Sequence, residues 1–220
     1  MAAQRTVNRP TAFGIAGVVF VVAGLALAGC TSTGSSPAGQ PTSRQSGGTS
    51  GTAPAPSPHP TEVSPSGDIP DNQAYVAFTA ADGSYTMSVP EGWARSSSGT
   101  STTFTDKLNV IATDSSAATS APTVESVKKN EVAHLSSTQS KFALTDVTAF
   151  ARAGGSGILI RFQSDSPVNS VTGSVVRDEV EQYLFWKGGK QVTVTLTSPK
   201  GSDNVDPWAK VTGSFAWLTK

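Results

Sequence analysis

The chain has 220 residues, 37% hydrophobic and 15% charged, below the usual shares for a globular protein, so part of it lies outside any packed domain. Sixteen Lys and Arg balance sixteen Asp and Glu, which leaves no basic surface for phosphate recognition and excludes nucleic acid as a partner. A single Cys excludes a disulfide framework and any multi-thiolate centre, and two His leave little for a metal site, so no metal and no cofactor is expected.

The N-terminus reads as an export signal. Arg5 and Arg9 precede an uncharged stretch from Pro10 to Gly29 whose apolar block runs from Phe13 to Leu27. It ends in Leu27-Ala28-Gly29-Cys30, which resembles the lipobox of bacterial lipoproteins. That resemblance implies cleavage after Gly29 and a diacylglyceryl group on Cys30, the only thiol in the chain. Two acyl chains hold a protein stably on a bilayer where one is marginal. The competing reading is an uncleaved membrane-spanning helix, since about 18 apolar residues can cross a bilayer. The charge before the apolar run, and its absence after it, favour cleavage, and both readings place the rest of the chain on the extracytoplasmic side of the cell membrane.

Residues 31–70 contain no Phe, Trp or Tyr and consist overwhelmingly of Gly, Ser, Thr, Pro and Ala. Such a composition cannot bury enough apolar surface to offset the entropy of ordering, so residues 30–70 are expected to form a lipidated start and a disordered tether. All four Trp, all three Tyr and seven of the nine Phe fall in residues 71–220, which are expected to form one domain.

Within that domain the prevailing period is two. Ala74 to Thr79 and Tyr85 to Val89 flank Asp82-Gly83, a hairpin cue, and Thr102 to Asp106 with Asn109 to Thr113 suggest a second pair. Pro122-Thr123 opens a helix to about Ser136 with an apolar stripe of Val124, Val127, Val132 and Leu135. Phe142 to Arg152 reads as a strand, Gly154 to Gly157 as a turn, and Ile158, Ile160 and Phe162 as an alternating strand. A long strand, Val175 to Lys187, carries Arg177, Glu179 and Glu181 on one face and continues into Tyr183 and Phe185, so that face must pass from solvent to cover. Gly188-Gly189 turns into Lys190 to Ser198. Asp206-Pro207 then predicts an N-cap and first helical residue, with Trp208, Val211 and Phe215 on the buried side.

Tyr85 to Trp93, ending in Pro90-Glu91-Gly92-Trp93, resembles the strand-Pro-x-Gly-Trp opening of PsbP-like domains, the fold shared with the Ran-binding protein Mog and with actinobacterial exported lipoproteins of the LpqN type. Asn109-Val110-Ile111, Val171-Thr172-Gly173, the Gly-Gly-Lys hairpin of Tyr183 to Pro199, and Asp206 to Phe215 follow in the family's order. The resemblance implies an α+β fold, a central, mostly antiparallel β-sheet flanked by helices, and members that mostly act by binding. It makes Pro90, Gly92, Trp93, Trp208 and Phe215 structural anchors and carries over no catalytic site.

The residues offer little for catalysis. His134 is the only His in the domain and sits in a polar helix; His59 lies between prolines in the tether. Ser156 lacks the Gly-x-Ser-x-Gly elbow and reads as a turn residue. Period two puts Glu179 and Glu181 on one face with Arg177 beside them, which reads as a charge-balanced solvent face, and turns Asp178 the other way; Asp203 to Asp206 reads as a helix cap rather than a calcium loop. The expectation is a membrane-anchored, non-enzymatic protein-binding or scaffolding module. Its alternative is binding or carriage of a lipid or other apolar small molecule, with a hydrolase behind both. The partner is an unidentified envelope protein or lipid, and nothing in the sequence fixes the oligomeric state.

Overall fold

In the computed structural model, which describes residues 66–218, the alternating segments pair into two antiparallel meanders that share one sheet. Strand β1 (Tyr75–Thr79) pairs with β2 (Tyr85–Pro90), and Gly83 between them takes a left-handed φ of 66° that glycine adopts freely. Strands β3 (Ala94–Ser98), β4 (Ser101–Asp106) and β5 (Asn109–Ala117) form the first meander. The second consists of β6 (Ala143–Arg152), β7 (Gly155–Asp165), β8 (Arg177–Lys187) and β9 (Lys190–Pro199). Pairing of β5 with β9 joins them into a seven-stranded sheet ordered β3-β4-β5-β9-β8-β7-β6, antiparallel throughout. Strand β10 (Ala216–Trp217) adds to β2 and completes a three-stranded sheet, β1-β2-β10.

The large sheet is covered on both faces. Helices α1 (Val124–Lys129) and α2 (Glu131–Thr138) bury Val127 and Leu135 against Val147, Ile158, Ile160, Phe162, Val180 and Leu184. Helix α3 (Val205–Gly213) and the small sheet cover the opposite face, where Tyr85, Met87, Trp208, Val211 and Phe215 meet Ile111, Tyr183, Phe185, Val192, Val194 and Leu196. The fold class expected from the sequence is therefore the one observed, with a small second sheet added to the helix on one side.

Four readings change. The helix expected from Thr123 to about Ser136 is two: Thr123 caps α1 through a box with Ser126, and Asn130 ends it and begins α2. Asp206 is not the N-cap of α3. Asn204 is, and Pro207 sits within the first turn, where missing N–H groups have no intrahelical partner to lose. Strands β3 and β10 escaped the sequence reading because β3 is polar and exposed throughout and β10 has two residues.

The fourth change is the boundary of the folded part, placed at 70/71 by composition. Ile69 is only 4% exposed and belongs to the core, and its N–H donates to Asn204 Oδ1 at 2.8 Å. Gly67 C=O accepts from Asn109 Nδ2 at 2.8 Å and from Asn204 Nδ2 at 2.9 Å. A Cβ on Gly67 would stand 2.6 Å from Pro199 and Ser202. Residues 66–70 are thus built into the domain.

Candidate functional site

Strand β8 passes from solvent to cover along one face, as its sequence requires: Glu179 is exposed, Glu181 half-buried, Tyr183 and Phe185 buried. Where cover begins, a cleft of about 340 Å³ opens between the sheet and α3. Its floor comes from β7 and β8 and its wall from Val205, Trp208 and Ala209.

The polar groups of the floor satisfy one another. Arg161 Nε donates to Glu181 Oε1 at 2.7 Å, and Tyr183 Oη donates to Glu181 Oε2 at 2.7 Å. Both carboxylate oxygens of Glu181 are therefore engaged. The bond to Glu181 raises the Arg161 pKa further, and burial followed by the same carboxylate raises that of the Tyr183 hydroxyl. Gln163 Nε2 donates to Glu179 Oε1 at 3.1 Å, and Asp146 lies 3.9 Å from Arg161. At the rim the Arg152 guanidinium lies 6.0 Å from the Tyr183 ring centroid, and no carboxylate pairs with it among the described residues.

Such a floor is a rigid donor and acceptor surface. Glu181 acting as a base would first have to leave both partners, and among the described residues the seryl groups of the lining, Ser198 and Ser202, have no imidazole beside them, since His134 is exposed on α2 over the other face. Ser156 is exposed near the start of β7 and is no part of the cleft.

A second, open groove of about 780 Å³ lies on the α1–α2 face, bounded by the β4–β5 turn, the end of α2 and the 166–176 loop. Asp178 is in its floor. As period two requires, Asp178 points away from Glu179 and Glu181 onto the face covered by α1 and α2, and is 8% exposed. It has no side-chain hydrogen bond or ion pair among the described residues. Burial, reinforced by Asp165 and opposed by Arg177, pushes its pKa up to about 6. Farther along the same strand face, Gln182 Oε1 is buried without a partner among the described residues.

Of the anchors expected from the sequence, Trp93, Trp208 and Phe215 fall in or against the α3-side core. Pro90 is buried at the end of β2, and Gly92 has a left-handed φ of 84° with open space around its Cα, so backbone conformation rather than packing requires glycine. Trp208 is 6% and Phe215 2% exposed; Trp93 is half-buried against the same core. Leu27, Ala28, Gly29 and Cys30 lie outside the described residues. Sequence reasoning named Glu181 and Tyr183 without joining them to Arg161, which lies twenty residues away from Glu181. The antiparallel register of β7 and β8 sets Arg161 directly opposite Glu181, a contact visible only once the strands are paired.

No family model matches the chain, and no curated protein matches it. Solved structures do. The chain is similar to the cyanobacterial PsbP of Synechocystis sp. PCC 6803, at 16% identity over 66% of this chain and 94% of that one, with a TM-score of 0.46. It is also similar to LpqN of Mycobacterium tuberculosis, a protein involved in cell envelope biogenesis, at 12% identity over 68% and 93%, with a TM-score of 0.43. A Bacteroides thetaiotaomicron protein is similar at 13% identity with a TM-score of 0.39; the match covers 66% of this chain and 48% of that longer one.

Proposed function

We propose that the chain is an extracytoplasmic lipoprotein, held on the cell membrane by Cys30, whose C-terminal domain is a non-enzymatic module that binds a protein partner through the cleft beside α3. The observation that carries this reading is the closed set Arg161, Glu181 and Tyr183. A carboxylate held by two donors is a fixed recognition surface, and fixed donors favour binding over proton transfer. The lining is mixed, with charged groups below and Trp208 and the 73%-exposed Val205 above, which suits a protein surface better than an acyl chain. The resemblance of Tyr85–Trp93 and the later segments to PsbP-like domains, and of Leu27–Cys30 to a lipobox, supports the same reading.

The test is site-specific photocrosslinking of the full chain in membranes, with the probe at Ala209, an exposed residue of the cleft wall. A discrete protein adduct is expected that disappears when Val205→Glu places a charge at the cleft mouth. Adducts to lipid alone, or a protein adduct indifferent to Val205→Glu, would overturn the proposal.

A further inference from the structure

The two edges of the large sheet are unlike. Strand β3 is five residues long and entirely exposed, with Arg95 and three serines. Strand β6 spans ten residues, and from Val147 to Ala151 it carries no charge, no Pro and no Gly. A bulge between Leu144 and Asp146 interrupts its start, and among the described residues no strand pairs with its outer side. Long uncharged edges of this kind are templates for another strand.

The pairing pattern fixes which backbone groups face outward. Arg152 pairs with Gly155 across a two-residue turn, and residues that close in sequence can pair antiparallel only by exchanging both of their own hydrogen bonds. Alternation from that pair points the N–H and C=O of Phe150, Thr148 and Asp146 at β7, and those of Val147, Ala149 and Ala151 away from the sheet.

We infer that the outer edge of β6 binds a second copy of this chain, antiparallel about a two-fold axis at Ala149. In that register Ala149 exchanges two hydrogen bonds with the partner's Ala149, and Val147 and Ala151 exchange theirs with the partner's Ala151 and Val147. The same register sets Asp146 opposite the partner's Arg152, and Arg152 opposite the partner's Asp146. The pairing is isologous, so every attraction occurs twice. Both ion pairs fall at non-hydrogen-bonded positions, where side chains of opposed strands approach most closely. Arg152, which has no carboxylate partner among the described residues, gains one, and Asp146, 3.9 Å from Arg161, gains a second cation. Small residues at 149 and 151 leave the approach of the backbones unobstructed. The two clefts then lie on the same side of one continuous sheet.

Disulfide crosslinking of the full chain in membranes tests this, with the unaltered chain, whose only thiol is Cys30, as control. Hydrogen-bonded antiparallel partners have Cα atoms about 5.5 Å apart, within disulfide reach. A149C is expected to give a band at twice the mass that the unaltered chain and S97C, on the β3 edge, do not give. Adding R152E turns two attractions into two repulsions and should cut crosslinking about tenfold. Adding D146R to that variant reverses both charges and should restore it. No A149C dimer, an equal S97C dimer, an adduct to a different protein, or failure of D146R to rescue would overturn the inference; loss of rescue is read beside an unchanged melting temperature, so unfolding is separated from lost pairing. Arg152 also lies at the rim of the α3 cleft, whereas Ala149 and Ser97 are no part of its lining, so the A149C and S97C comparison distinguishes failure of this inference from failure of the cleft reading.

Discussion

Trp93 and Trp208 pack edge to face, their ring centroids 6.4 Å apart and their planes at 85°. The first follows the turn that ends β2, and the second lies in the first half of α3, so the pair fastens the helix to the small sheet across more than half the domain. Their burial differs: Trp208 is 6% exposed, whereas Trp93 is half-buried. Trp208→Ala should therefore cost about 3–5 kcal/mol and Trp93→Ala clearly less. Chemical denaturation of the two variants checks this, and equal losses would show that the pair, not the core behind Trp208, dominates.

The Asn204 side chain reaches Ile69 N, Gly67 O and Asn109 Oδ1, and so holds the entry segment to the sheet and to the start of α3. Asn204→Ala would leave a buried N–H and weaken a buried carbonyl's bonding, at about 1–3 kcal/mol. Its expected signature is local. In limited proteolysis the parent should resist cutting from residue 66 onward, while the variant should yield fragments starting near 71.

These contacts mark where the sequence could and could not be read. Strands β2, β5 and β9 were legible because mainly one face of each is buried, so period two is written in Val, Ile, Leu and Tyr, and β7 and β8 because they carry apolar residues on both faces where helices cover them. The hairpins were legible because Gly83, Gly188 and Gly189 occupy left-handed turns. Ser66–Pro70 was misread because its anchoring is done by backbone groups meeting Asn109 and Asn204, and composition registers only Ile69 among small and polar residues. The cleft was half legible. The passage of β8 from charge to cover was evident, but closure of Glu181 by Arg161 depends on register, and register is a property of two strands.

Replacement of Cys30 by Ser should abolish metabolic acyl labelling and release the chain from membranes, because the proposed anchor is a thioether that Ser cannot form. Persistent acyl labelling of the variant would end the lipoprotein reading. Release of an unlabelled parent would do the same.

Asp178 makes stability depend on pH in the direction opposite to most carboxylates. Its folded-state pKa is raised to about 6, above the ordinary 3.8, so the folded domain holds a proton that the unfolded chain has already released. Below pH 4 both states are protonated and the residue costs nothing. As pH rises from about 4 through 6 the cost of an unpaired buried carboxylate appears in full, and above 6 it is constant. The groove opens to solvent, which screens the charge, so the penalty at pH 7.5 is about 1–2 kcal/mol. Asp178→Asn should therefore melt higher than the parent at pH 7.5, with the difference shrinking toward pH 4. Asp165 supplies the contrast: Lys141 at 2.8 Å and Arg177 at 3.1 Å hold its pKa below the ordinary value, so its contribution is present at neutral pH and lost as the solution is acidified below 4. Melting curves of Asp178→Asn and Asp165→Asn from about pH 2 to 8 separate the two. A variant at 178 that is destabilised at pH 7.5 would mean that its carboxylate is paired.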